Sequence, residues 1–274
     1  LAVVSNYGVR GKPGNSLTVI DLAARSVART LTIENYQRPH GMAFLPGDSL
    51  LLVTSEVARA VLVVSVADGS VRRAIPSGGR ATHMVGLSAN GERAVASKIA
   101  DGTIALFRVA SGDTAATIRV AAQPEGIAIS PDGAWAWAGS NRDSVVTVVD
   151  LAAKVVRDTL RGFGLPYRLA VTPDGKRVVI TDPAKSEVRI VDAATRRALH
   201  TVVVSRDSLL GIAEIPGSPS PEGVAVSRDS RWAFVTLQGR NRVATIDLDK
   251  GVIVALAPTG NWSDGVGYSP LVGR

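Results

Sequence analysis

Six residues with side chains suited to acid–base, metal or ligand chemistry recur at one fixed place in this sequence. Each lies six places before a turn, a Pro precedes four of them, and a Gly follows four. Pro fixes the backbone before the residue, and Gly allows a neighbouring backbone to come close. The six positions, called the mouth ring below, are His40, His83, Glu125, Tyr167, Glu222 and Asp264.

Two imidazoles, three carboxylates and a phenol can bind a metal ion or a cationic ligand. Imidazole with carboxylate suits zinc, iron, manganese or copper, and carboxylates with carbonyls suit calcium. His40, His83 and Glu125 come from consecutive repeats and are the candidate ligands of a divalent metal ion, the cofactor that the residues suggest. The alternative is a solvated polar rim, because side chains at a channel mouth are polar in any case. Spacing by whole repeats is less specific than a motif such as HExxH.

The turns that define these positions recur with a regular period. They read FLPGD, LSANG, ISPDG, VTPDG, VSRDS and YSP, and the steps between them are 43, 42, 42, 55 and 42 residues. A period near 42 indicates a repeat architecture. Each repeat carries four short apolar–polar alternations, A to D, separated by turns, which is typical of antiparallel strands. The stretch QPEGIAISPDGAWAWAGSNRDSVVTVVD shows the first three.

A four-stranded sheet cannot bury both of its faces alone, and stacking six copies in a ring solves this problem. The sequence therefore predicts an all-β, six-bladed β-propeller that forms one domain over residues 1–274. The chain begins on a B strand, LAVVSN, and ends on an A strand, GVGYSP, at 265–270. We expect these two segments to share one blade and close the ring, which would remove an exposed edge. Strand A would line the channel, and the mouth ring would converge on one opening.

Composition limits the remaining possibilities. The chain has 274 residues, 46% hydrophobic and 20% charged, and no cysteine, which excludes disulfides and thiolate chemistry. The net charge of +7 attracts anionic partners. We expect no transmembrane segment, and nucleic acid is disfavoured because no basic stripe interleaved with aromatic residues occurs. The start inside a strand predicts a processed chain that an export signal preceded.

Three segments resemble the YVTN-type β-propeller repeat: PEGIAISPDGAWAWAGSNRDSVVTVVDLAAKVVRDTL, VTPDGKRVVITDPAKSEVRIVDAATRRALHTV and PEGVAVSRDSRWAFVTLQGRNRVATIDLDKG. The resemblance covers the whole chain. It implies a propeller fold and a periplasmic or otherwise extracytoplasmic location, because the family consists mostly of bacterial extracytoplasmic proteins. Many members have seven blades, and this sequence departs from that number.

Two insertions break the period and are expected on the same rim as the mouth ring. One is the loop NYGVRGKPGNS at 6–16, and the other is SRDSLLGIAEIPGSPSP at 205–221. Loops on a rigid scaffold often carry function. The partner-binding candidates are therefore Arg10, Lys12, Arg206 and Asp207, and the alternative is that both loops are tolerated surface extensions.

A second ring is expected at the ends of the B strands, further from the axis on the same face. Its members are Asn6, Ser55, Lys98, Ser140, Asp182 and Leu237. Among the cations near the rim, Lys98 or Arg168 are candidates to hold an anionic group, although single cations at a rim are usually only solvated.

Two function classes stay open. The favoured one is a non-catalytic binding or scaffold propeller, an exported accessory subunit that docks through its insertion-bearing rim onto an acidic protein or a membrane-bound complex, for example a respiratory or photosynthetic one. The alternative is a metal-dependent, lactonase-like hydrolase with a carboxylate as general base at the channel mouth. Fold alone does not decide between them. The residues contain no GxSxG, P-loop, CxxCH or dinucleotide-binding motif, which favours the first class.

Overall fold

The computed structural model describes residues 1–204 and 218–270, which form a ring of six antiparallel sheets. Five sheets have four strands, and the first has three. The predicted all-β, six-bladed propeller is confirmed. The blades are numbered I to VI in chain order. In the described part of the chain, no helix is long and apolar enough to cross a membrane.

The strands take the same four places in successive blades. The innermost A strands are β4 (Pro39–Phe44), β8 (Thr82–Leu87), β12 (Pro124–Ile129), β16 (Leu169–Val171) and β20 (Pro221–Val226). The B strands are β1 (Ala2–Val9), β5 (Leu50–Ser55), β9 (Arg93–Lys98), β13 (Trp135–Ser140), β17 (Arg177–Asp182) and β21 (Trp232–Leu237).

The C strands are β2 (Lys12–Asp21), β6 (Ala60–Ser65), β10 (Thr103–Arg108), β14 (Val145–Asp150), β18 (Glu187–Asp192) and β22 (Arg242–Asp247). The outermost D strands are β3 (Ser26–Thr32), β7 (Val71–Pro76), β11 (Asp113–Arg119), β15 (Val155–Leu160), β19 (Ala198–Val203) and β23 (Val252–Pro258).

The hydrophobic core lies between neighbouring blades. Side chains alternate between the two faces of a strand, so each blade packs one face against the preceding blade and one against the next. Leu17 of blade I, for example, packs in one cluster with Leu62 of blade II. Trp137 of blade IV is 1% exposed and packs with Val178 of blade V, as expected for a tryptophan between sheets.

The predicted closing strand over 265–270 is the part of the fold that the structure corrects. These residues form no strand, and β1 has no ladder partner on its inner side in the described residues. The segment instead packs against blade VI, where Thr236 donates to the carbonyl of Asp264 at 2.7 Å and Tyr268 stacks on Phe234 at 5.6 Å. Two glycines and a proline within six residues give the segment low β-propensity, which explains the missing ladder.

The register of the ladders assigns the loops to two faces. The start of strand A lies beside the end of strand B, as in the pairs Pro39–Ser55 and Pro124–Ser140. The mouth ring, the B–C turns and the D–A connections therefore share one side, called the mouth face below. The A–B and C–D turns lie on the opposite side, the far face.

Candidate functional site

The mouth ring is positioned by a bulge at the start of the innermost strand. In blade II the ladder pairs Pro39 with Ser55 and resumes with Met42 opposite Val53, so His40 lies inside the bulge. The same shift occurs in blades III, IV and VI. A bulge of this kind bends the strand and re-aims a side chain.

A left-handed residue precedes the ring position by two places in five blades. The five residues share φ values between 51° and 59°: Arg38, Ala81, Gln123, Ser220 and Trp262. This conformation costs a residue with a Cβ about 1 kcal/mol. Because none of the five is glycine, the kink is imposed by the fold of the repeat and not by local preference.

The glycine that follows the ring position is required by close packing of the next blade. A Cβ on Gly41 would lie 2.7 Å from the Cα of Met84. A Cβ on Gly126 would overlap the carbonyl of Tyr167. The crowding expected near the axis is therefore present.

A hydroxyl in strand B fixes the ring residue of the following blade. In each case the side chain donates to the backbone carbonyl of the ring residue. The pairs are Ser5–His40 (3.1 Å), Thr54–His83 (2.6 Å), Ser97–Glu125 (3.2 Å), Thr181–Glu222 (2.7 Å) and Thr236–Asp264 (2.7 Å). Asp264 thus occupies a ring position although no strand forms there.

His83 is the centre of a buried ion network. Its Nδ1 lies 2.5 Å from Glu56 Oε1, and its Nε2 lies 2.6 Å from Glu125 Oε1. Arg168 donates from Nη1 to the same oxygen of Glu125 at 2.6 Å. Only the protonated imidazolium can donate from both nitrogens, so this arrangement corresponds to charged His83.

The shifts in pKa follow from these contacts. Burial opposes the charge of His83, but hydrogen bonds to Glu125 and Glu56 raise its pKa overall. Burial also opposes ionisation of Glu125, yet the hydrogen bond from His83 and the charges of His83 and Arg168 lower its pKa to about 2. For Glu56, hydrogen bonds from His83 and Tyr7 outweigh burial and lower the pKa. Each of these shifts favours the ionised form of its group, in agreement with the charged His83 that its two hydrogen bonds require.

Three residues that support the network were not predicted. Tyr7 donates to Glu56 Oε2 at 2.7 Å, and Asn141 donates to Glu125 Oε2 at 3.3 Å. Tyr7, Glu56 and Asn141 all occupy the same place, the first residue after the second-ring position. That shared place in the repeat is the sequence signal that points to these three residues. Arg38, another residue not predicted, donates to the hydroxyl of Tyr7 at 2.7 Å.

His40 lies beside this network without belonging to it. Its ring stacks on His83 with centroids 4.0 Å apart, and Tyr7 meets it edge-on at 5.2 Å. Burial first, and then the charges of His83 and Arg168, lower the pKa of His40 to about 3. His40 is therefore a neutral imidazole, with Nδ1 3.3 Å from Met84 Sδ.

The other half of the ring is more open. The guanidinium of Arg168 lies 4.1 Å from the centroid of Tyr167, and Ser220 donates to Glu222 at 2.9 Å. Burial raises the pKa of Glu222, and the charge of Asp264 adds to this. Burial likewise raises the pKa of Tyr167. Asp264 Oδ1 is buried and has no hydrogen-bond partner among the described residues.

The second ring is structural. In four blades its side chain holds the backbone of the preceding D–A connection. Ser55 donates to Gln37 O, Lys98 to Ser77 O, Ser140 to Ala122 O, and Asp182 accepts from Gly164 and Leu165 N. Asn6 instead bonds the side chains of Ser16 and Thr18, and Leu237 is apolar and buried. Lys98 is only 1% exposed, and Arg168 is paired with Glu125, so neither is free to hold an anionic group as suggested.

The predicted partner loops are only partly within the described residues. Arg10 and Lys12 are exposed where β1 turns into β2, on the mouth face. Arg206 and Asp207 lie outside the described residues.

The geometry does not favour the predicted metal site at His40, His83 and Glu125. Both ring nitrogens of His83 are hydrogen-bonded to carboxylates, so this residue offers no free lone pair. Within residues 1–204 and 218–270, no group of three or more His, Asp or Glu side chains is arranged to hold a metal ion. The site instead provides a buried network in which the charges of Glu56, His83, Glu125 and Arg168 balance, beside the more open Tyr167, Glu222 and Asp264.

Comparisons with known proteins support the fold and leave the function open. No family model and no curated protein sequence matches the chain. A solved structure of Kuenenia stuttgartiensis hydrazine synthase is similar, with a TM-score of 0.73 and 19% identity over 92% of this chain and 83% of that chain. At this identity the likeness concerns the fold alone.

Proposed function

We propose that this protein is a non-catalytic binding propeller that docks through its mouth face onto an acidic protein or a membrane-bound complex. The single observation that carries the proposal is the one-sided distribution of exposed charge. A rigid scaffold with a basic face attracts an anionic surface and orients it before contact.

The B–C turns of the mouth face are strongly basic. Their exposed cations, counting the first residue of strand C, are Arg10, Lys12, Arg59, Arg142, Lys185 and Arg242. The exposed carboxylate of these turns, among the described residues, is Asp143. The A–B turns of the far face carry both signs: Asp48, Glu92, Asp132, Asp174 and Asp229 with Arg93, Lys176, Arg228 and Arg231. The C–D turns, also on the far face, add Arg25, Lys154, Arg197 and Lys250 with Asp68 and Asp249. The exposed charges of the far-face turns therefore nearly cancel, whereas those of the B–C turns on the mouth face are predominantly positive.

The ion network supports binding over catalysis. A general base needs a free lone pair and a pKa near the working pH. His83, bonded at both nitrogens, lacks the free lone pair, and Glu125, with a pKa lowered to about 2, lacks the suitable pKa. The metal-dependent hydrolase therefore remains the weaker alternative. Metal analysis of the purified protein tests it: one equivalent of metal, lost on His40→Ala and His83→Ala, would favour the enzyme.

Charge reversal on one face tests the docking proposal. The full-length protein would be tagged and isolated from its natural source with whatever complex it joins. Arg10→Glu with Lys12→Glu and Arg59→Glu is expected to release the complex at moderate salt. Lys176→Glu with Arg228→Glu and Arg231→Glu, on the far face, is the matched control with the same change in charge and should retain it. Equal retention by both variants would refute docking through the mouth face.

Kinship with the YVTN-type repeat family and an extracytoplasmic location belong to the same proposal. Both derive from the repeat segments of the sequence. Fractionation of the source cells, with the full-length protein followed by antibody, tests the location.

A further inference from the structure

The mouth face exposes three large apolar side chains in neighbouring blades. Trp262 lies at the entry to the innermost position of blade I, Val9 at the end of β1, and Val57 in the B–C turn of blade II. They are 78%, 67% and 52% exposed. Most other exposed large apolar side chains of the described residues lie on the outermost strands. We call these three the apolar sector.

Trp262 is held in place by backbone and loop contacts and not by burial of its ring. Its backbone is left-handed, with φ of 59°. Its amide donates to Asn241 Oδ1 at 3.1 Å, and Asn241 in turn donates to Asn261 Oδ1 at 3.1 Å. The repeat imposes this backbone at the equivalent place in four other blades, so the exposed indole, and not the backbone, points to a role outside the fold of the monomer.

Cations are interleaved with the apolar sector. Arg10 follows Val9 directly, and Arg59 lies two residues after Val57. Arg242 begins the strand after the turn that holds Trp262. All three cations are exposed. The cores of protein–protein interfaces are contiguous and depleted of charge. Single apolar side chains alternating with cations instead match the interfacial layer of an anionic bilayer, where tryptophan and basic residues both reside.

We infer that the apolar sector binds the surface of an anionic lipid bilayer, with Trp262 in the headgroup layer and Arg10, Lys12 and Arg59 against acidic lipid headgroups. The inference rests on the proposed function only in that both use the mouth face. It adds a lipid contact that does not require a protein partner. Each cation near such a surface strengthens binding about fivefold.

The probe is a vesicle of 30 mol% phosphatidylglycerol in phosphatidylcholine, with pure phosphatidylcholine vesicles for comparison. We expect the full-length protein to sediment with the anionic vesicles at low salt, and its tryptophan emission to shift to shorter wavelength. Trp262→Ala should weaken binding at least tenfold and remove the shift. Arg10→Glu with Lys12→Glu should weaken it by twentyfold or more. Leu199→Ala, an exposed apolar residue of an outermost strand, is the control and should bind normally.

The outcomes separate this inference from the proposed function. No binding to anionic vesicles, or binding that Trp262→Ala leaves unchanged, overturns the lipid contact. If the natural complex is retained by Trp262→Ala and lost on charge reversal, that result supports the proposed function, with an acidic protein as the partner. Vesicle binding that needs both Trp262 and the cations supports the lipid contact whatever the fate of the protein complex.

Discussion

Lowering the pH from 6.5 to 5.0 is expected to destabilise the propeller through His40. In the folded protein the pKa of His40 is lowered to about 3, first by burial and then by the charges of His83 and Arg168. In the unfolded chain a histidine titrates near 6.5. The unfolded state therefore binds a proton that the folded state excludes, and stability falls as the pH drops through 6.5.

The size of the effect follows from the linkage between proton binding and folding. Each pH unit below the unfolded pKa costs about 1.4 kcal/mol, so 1.5 units cost about 2 kcal/mol. His83, whose pKa is raised, contributes to the free energy of unfolding in full below pH 6.5, and this contribution is lost only as the pH rises through its folded pKa. The contributions of Glu56 and Glu125, whose pKa values are lowered, are present above about 4.5 and are lost only at lower pH. This pH window therefore isolates His40 from its neighbours in the network.

Urea unfolding at pH 6.5 and 5.0 provides the measurement, on the wild type and on His40→Gln. Between the two pH values the wild type should lose about 2 kcal/mol more of its free energy of unfolding than His40→Gln does. Glu222, whose pKa is raised, acts in the opposite direction and cancels in this comparison. Leu199→Ala, an exposed residue in an outermost strand, should keep the wild-type dependence. The reasoning fails if His40→Gln and the wild type lose the same free energy.

Three further predictions concern stability and are checked by chemical denaturation. His83→Ala should cost about 3–5 kcal/mol, because it leaves Glu56 without a cation and Glu125 with Arg168 alone, whereas His200→Ala should cost less than about 1 kcal/mol; similar losses would contradict a buried network. Gly126→Ala should cost more than about 2 kcal/mol because its Cβ overlaps the backbone of the next blade, while Gly260→Ala, which has open space, should be near neutral. Ala81→Gly should be neutral or stabilise by up to about 1 kcal/mol, since glycine relieves the left-handed backbone at this position; a clear loss of stability would show that the kink is not strained.

The blades could be predicted because each repeat contains the same alternation and the same turns. Packing between blades follows from that alternation, as Leu17 and Leu62 illustrate. The closing strand could not be predicted from the pattern alone. Alternation in GVGYSP suggests a strand, but its glycines and proline weaken the ladder, and the contacts of Asp264 and Tyr268 with blade VI hold the segment instead.

The mouth ring could be predicted as a set of positions, but its internal pairing could not. His83 and Glu125 are one repeat apart, and the period alone brings them to the same opening. Glu56 bonds His83 from the B–C turn of the neighbouring blade. The repeat period gives the place of Glu56 within its own blade, but not its distance from the next blade. The predicted metal set did not include Glu56 and Arg168, which bond His83 and Glu125 in the structure. Tyr7 and Glu56 nevertheless share one place, the second after the B-strand hydroxyl that binds the next ring residue, and this regularity is present in the sequence.

The ion network gives the polar residues at the axis a structural role, because it links neighbouring blades. Tyr7, Glu56, His83, Glu125 and Arg168 come from five consecutive blades, I to V, and each bonds the next. Blade I lacks an inner strand in the described residues, so no backbone ladder forms at its inner edge. The hydrogen bond from Tyr7 to Glu56 connects blade I to blade II near the axis. A buried ion network is weak support for stability alone, because apolar side chains can pack as well, but it specifies one arrangement of its partners. The network therefore fixes the relative positions of the blades, and with them the spacing of the cations and the apolar sector that the mouth face presents.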